Sequence, residues 1–73
     1  MVNVTLNDVN VNVTRLDGEP GKLAGKFQVS GVAYGSAVNE TIKFYHNGDF
    51  DTEMDEDLAG DVFLNLDERG WEI

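Results

Sequence analysis

A chain of 73 residues without cysteine makes a single domain, residues 1–73, with a small core and no disulfide or thiolate–metal site to supplement it. The formal net charge is −9, yet residues 1–48 are neutral: Asp8, Asp17, Glu19 and Glu40 are balanced by Arg15, Lys22, Lys26 and Lys43, so the whole excess lies in residues 49–73. With no basic footprint to meet phosphates, direct binding to nucleic acid or to an anionic membrane is disfavoured, and no apolar run approaches the ~18 residues of a membrane span.

The start, "MVNVTLNDVNVNV", has neither a basic region nor a continuous apolar stretch, so no signal peptide is expected and the predicted location is cytoplasmic. Its apolar residues alternate, first on even positions (Val2, Val4, Leu6) and then on odd ones (Val9, Val11, Val13). Two arrangements produce that change of phase. A two-residue hairpin at Asn7-Asp8 would set Leu6 opposite Val9, Val4 opposite Val11 and Val2 opposite Val13. One long strand bulged at Asn7-Asp8 would also shift the phase by one. Either makes one β unit.

"LDGEPGKLAG", residues 16–25, is dense in turn formers and predicts a loop. A strand follows at "KFQVSGVAY", with Phe27 and Val29 inward, and another at "ETIKFYH", with Ile42 and Phe44 inward. "HNGDF" signals a hairpin. A three-residue loop, His46-Asn47-Gly48, places glycine at the left-handed position and pairs Phe44 with Phe50, Ile42 with Thr52 and Lys43 with Asp51. A two-residue loop would bury carboxylates instead, so burial selects the first register.

Beyond Met54 the period changes. Leu58, Ala59, Val62, Phe63 and Leu66 follow a helical stripe, with Asp55, Glu56 and Asp57 suited to the first turn, Arg69 to the last and Gly70 to the position after it. The rival reading, a strand over Val62–Leu66 turning through "DERG" into Trp71-Glu72-Ile73, fits this stripe less well. The expected fold is α+β: a small antiparallel sheet of three to five strands with one C-terminal helix packed on it.

Catalysis requires a nucleophile, an acid or base, and a means of orienting them. The chain has one histidine, His46, in a predicted turn, and two serines, Ser30 and Ser36, beside glycines. Its carboxylates lie in a solvated row, where nothing splits their pKa values. No enzyme is expected, and no cofactor.

"DFDTEMDEDLAG" has the acid spacing of a calcium-binding helix–loop–helix segment from Asp49 onward. Met54 stands where that loop needs glycine for its turn, and Gly60 where it needs a bidentate glutamate, so no metal site is assigned. "GEPGKLAGK" fails as a phosphate loop because Pro20 and Phe27 occupy the positions of a glycine and a hydroxyl residue. Its GxxG, Gly18 to Gly21, lacks the basic centre of an RNA clamp. Three Asn-x-Thr sequons, at Asn3, Asn12 and Asn39, read as strand-facing polar residues. Trp71, Phe27, Phe44, Phe50 and Phe63 are assigned to the core, and Tyr34 and Tyr45 are candidate interface anchors.

The acids themselves remain. Asp49, Asp51, Glu53, Asp55 and Asp57 alternate with Phe50, Thr52 and Met54. In an extended segment their carboxylates would stand about 6.6–6.8 Å apart, on the order of the spacing of phosphates along one nucleic-acid strand. If a helix begins near Asp55, the later acids gather at its N-terminus, with Glu56 and Asp61 joining them. Only Lys43 is placed to relieve their repulsion. Solubility and protection of a sheet edge explain acids in general. They do not explain acids concentrated beside a neutral chain half.

In charge pattern, residues 49–68 resemble the small acidic DNA-mimic inhibitors encoded by phages and mobile elements, including anti-restriction and anti-CRISPR proteins. The resemblance is to a class with no common fold. It implies a non-enzymatic inhibitor whose Asp49, Asp51, Glu53, Asp55, Glu56, Asp57 and Asp61 meet the basic nucleic-acid-binding surface of a partner protein. The alternative is a phage or bacterial assembly or adaptor module that binds through a strand edge, with its acids serving solubility alone.

Overall fold

The computed structural model describes residues 2–72. The alternation at the N-terminus folds as the hairpin. Strands β1 (Val2–Leu6) and β2 (Val9–Asp17) are antiparallel, with Leu6 opposite Val9, Val4 opposite Val11 and Val2 opposite Val13. Asp8 supplies the positive φ of the turn, +64°, which a short polar side chain tolerates. Strand β3 (Gly25–Ala33) and strand β4 (Ser36–Phe44) form the next hairpin around Tyr34-Gly35, whose φ angles are +54° and +80°. The Tyr34 N–H donates to the Asp8 carbonyl at 2.7 Å, which ties the two turns together.

Strand β4 begins at Ser36, four residues before the expected start at Glu40. Its first half alternates weakly because one of its faces is exposed and polar, so pairing with β3 defines it rather than its own pattern. The short strand β5 (Phe50–Thr52) pairs in the register that burial selects, Phe44 with Phe50, Lys43 with Asp51 and Ile42 with Thr52. The sheet is a five-stranded meander in the order β1-β2-β3-β4-β5.

Helix α1 (Glu56–Glu68) settles the C-terminal alternative in favour of the helix. Asp55 caps it, its side chain accepting from the Asp57 N–H at 3.1 Å. At the other end the Gly70 N–H donates to the Asp67 carbonyl at 3.0 Å and the Trp71 N–H to the Leu66 carbonyl at 3.3 Å, a Schellman closure. The chain then returns beside the β2–β3 loop as a single parallel bridge, Glu72 to Lys22. Ile73 lies outside the described residues.

The helix buries Leu58, Ala59, Val62 and Leu66 with the sheet residues Val4, Val9, Val11, Val13, Phe27, Val29, Ala33, Ile42 and Phe44 in one core. Gly60 stands within α1 with open space where a Cβ would go. Gly60→Ala is therefore expected to stabilise the protein by about 0.5–1 kcal/mol, seen as a higher melting temperature in circular dichroism.

Two features of the core were not legible in the sequence. Leu23, within the predicted loop, is fully buried, its N–H donating to the Glu72 carbonyl at 2.6 Å. Arg15 shares the inner face with Phe27, its guanidinium 4.6 Å from that ring and 5.1 Å from the ring of Trp71. Its Nη2 also donates to the Lys22 carbonyl. The expected loop 16–25 thus becomes the end of β2 followed by a segment pinned from within by one arginine and one leucine.

On the uncovered face, Asn3, Asn12, Ser30 and Asn39 stand opposite one another on successive strands. The three sequon asparagines are therefore one row of polar strand residues, with Asn3 Nδ2 donating to Asn12 Oδ1 at 3.1 Å.

Candidate acidic interface

The seven acids from Asp49 to Asp61 occupy a loop, a strand, a bend and the first two turns of a helix rather than one extended row. Strand β5 ends at Thr52, because the Met54 N–H turns back to the Thr52 hydroxyl at 3.1 Å while Met54 enters the core. Glu53 lies in the bend, Asp55 is the helix cap, and Glu56 and Asp57 fill the first turn. The strand spacing expected for Asp49 to Asp57 therefore does not extend past the end of β5. The helix-start arrangement holds for the rest.

Asp49 closes the β4–β5 loop. The Tyr45 N–H donates to its carbonyl at 2.8 Å, its own N–H donates to Asn47 Oδ1 at 3.1 Å, and Asn47 Nδ2 donates to its carboxylate at 3.0 Å. Glu56 reaches the same loop, lining a shallow hollow with Tyr45, His46, Asp49 and Phe50. Phe50 shares the inner face with Phe44, their ring centroids 6.3 Å apart. It is nevertheless 37% exposed, because β5 is the edge strand and α1 covers only one side of it. It is an edge residue rather than the full core residue expected.

A second group forms around Tyr34. The Tyr34 hydroxyl donates to Asp61 Oδ2 at 3.0 Å. Partial desolvation, that hydrogen bond and the charges of Asp61, Asp55 and Asp57 push the Tyr34 pKa above its ordinary value. Tyr34 is 48% exposed, so its ring is presented beside three carboxylates. Its position at a turn with positive φ is unusual for a bulky residue, and the sequence pattern predicts the end of a strand there instead.

Six of the seven acids are exposed and Asp61 is partly buried. The one ion pair among the described residues is Lys22 with Glu72, at 3.6 Å. Lys43 stands opposite Asp51 as expected, but its Nζ lies over the Tyr45 ring, 5.0 Å from the centroid, and forms no ion pair with Asp51. The relief assigned to Lys43 is thus a weak cross-strand attraction only. Arg69, expected in the last turn, is the C-cap. Its Nη2 donates to the Asn3 carbonyl and its Nε to Asn65 Oδ1, both at 2.9 Å, which holds this cation away from the acids.

The arrangement offers two carboxylate groups, one around Phe50 and one around Tyr34, each beside an exposed aromatic ring. Among the described residues no three His, Asp or Glu side chains converge in a geometry that could hold a metal ion. His46 is exposed in the β4–β5 turn. Likewise, no helix among the described residues is long and apolar enough to cross a membrane. No protein-family model, curated protein or solved structure matches this chain.

Proposed function

We propose that the protein is a non-enzymatic inhibitor that acts in the cytoplasm by occupying the basic nucleic-acid-binding surface of a partner protein, as a DNA mimic of the anti-CRISPR or anti-restriction type. The observation that carries this reading is that Asp49, Asp51, Glu53, Asp55, Glu56, Asp57 and Asp61 take part in no ion pair among the described residues: Arg15 and Arg69 are engaged elsewhere, and Lys43, although opposite Asp51, lies over the Tyr45 ring. Unpaired carboxylates on an ordered scaffold repel one another, and a basic partner removes that cost. Tyr34 and Phe50 add the aromatic anchors that protein interfaces favour.

The test separates carboxylates that bind from those that hold the fold. Asp55 is excluded because it caps α1. Replacing Asp51, Glu53 and Glu56 together with lysine is expected to weaken partner binding at least ~100-fold while circular dichroism stays native. The immobilised protein is incubated with bacterial lysate at about 50 mM and about 500 mM salt, and captured proteins are challenged with duplex DNA. Capture lost at high salt, lost to DNA and lost in the lysine variant supports the mimic. Capture that survives charge reversal overturns it in favour of the strand-edge adaptor.

A further inference from the structure

A sheet that ends in open strands has two edges, and the two differ here. Strand β5 offers three residues, with Asp51 inside it and Asp49 and Glu53 at its ends, so a second acidic edge is repelled. Strand β1 offers five residues, Val2-Asn3-Val4-Thr5-Leu6, with no charge and no proline. Because Leu6 and Val9 close a two-residue turn, the even residues of β1 bond to β2 and the backbone groups of Asn3 and Thr5 point outward. One of those outward groups is already taken: the Asn3 carbonyl accepts from Arg69 Nη2 at 2.9 Å, and Asn65 holds the same guanidinium through Nε at 2.9 Å.

We propose that β1 is a strand-addition edge for a second copy of this chain, and that Arg69 is the latch that keeps it closed. The strand is self-complementary about a two-fold axis at Val4. Antiparallel pairing sets Val4 against its symmetry mate, Val2 against Leu6, and Asn3 against Thr5. The apolar side chains then continue the inner face, covering Leu6, which is 42% exposed in the single chain. Asn3 and Thr5 exchange both of their backbone hydrogen bonds with the partner copy. Half of those bonds use the Asn3 carbonyls, so neither copy pairs fully while Arg69 holds them. An isologous contact of this kind closes after two chains and joins two five-stranded sheets into one.

The experiment is sedimentation equilibrium of the full chain and of two variants, Arg69→Ala and Asn65→Ala, with folding checked by far-ultraviolet circular dichroism. Wild type is expected to be monomeric, and both variants to self-associate at least ~10-fold more tightly, Arg69→Ala more so. Adding Thr5→Pro to Arg69→Ala removes an outward N–H that β1 does not use within the chain, and is expected to restore the monomer. A wild-type dimer under the same conditions overturns the latch. Folded variants that stay monomeric, or a dimer that persists with Thr5→Pro, overturn the edge.

Discussion

Phe44→Ala is expected to leave much of the protein unfolded at 37 °C. The Phe44 ring is the hub of the aromatic core, with centroids 5.8 Å from Phe27, 6.3 Å from Phe50 and 5.4 Å from Phe63. It is only 1% exposed, so alanine there leaves a cavity between β4, β5 and α1. Truncating a buried phenylalanine costs about 3–5 kcal/mol, and a domain of this size has roughly 4–10 kcal/mol in total. A urea titration followed by tryptophan fluorescence measures the loss, since Trp71 packs 6.0 Å from Phe27 in the same cluster. A change below about 1 kcal/mol would show that the aromatic cluster is not what joins helix to sheet.

Gly31→Ala is expected to be comparably damaging although it adds a methyl group rather than removing a ring. Gly31 lies within β3, paired on both sides, opposite Val11 on one and Val38 on the other, with φ +149°. A Cβ there would clash with the Asn10 carbonyl oxygen and stand 2.8 Å from the Val11 Cα, both backbone atoms of β2. A flexible side chain could move aside, but a paired strand can do so only by breaking the ladder. The expected loss is about 3 kcal/mol or more, read from the same titration. Gly60→Ala, with open space and a helical backbone, is the control of opposite sign.

The contrast between these glycines shows which parts of the fold a sequence exposes. Periodicity exposed the elements whose partners lie nearby: the Phe44–Phe50 register and the Leu58–Leu66 stripe follow from local alternation or helical spacing, and the phase change at Asn7-Asp8 marked a β unit over Val2–Val13 while leaving hairpin and bulged strand equally open. Gly31 reads only as a weak point in a strand, since its need for glycine comes from Asn10 on another strand. Leu23 and Arg15 were hidden for the same reason. The burial of Leu23 and the packing of Arg15 against Trp71 depend on the C-terminal segment returning beside the β2–β3 loop, and no local pattern reports that return. The acidic residues were legible as residues and not as geometry. Alternation continued past Thr52, while the capping of α1 by Asp55 and the burial of Met54 stopped the strand there. Tyr34 joined them through a tertiary hydrogen bond that sequence spacing cannot display.

The meander has a kinetic meaning as well. Every strand pairs with its neighbour in the chain, so four hairpins can zip without closing a long loop. Among the hydrogen bonds of the described residues the widest span is that from Arg69 to Asn3, across 66 positions. Loop-closure entropy makes such a contact late to form, and contacts formed after the transition state govern unfolding more than folding. The bond from Arg69 to Asn3 therefore fastens the two ends of the chain, and wherever it is open the edge of β1 is bare.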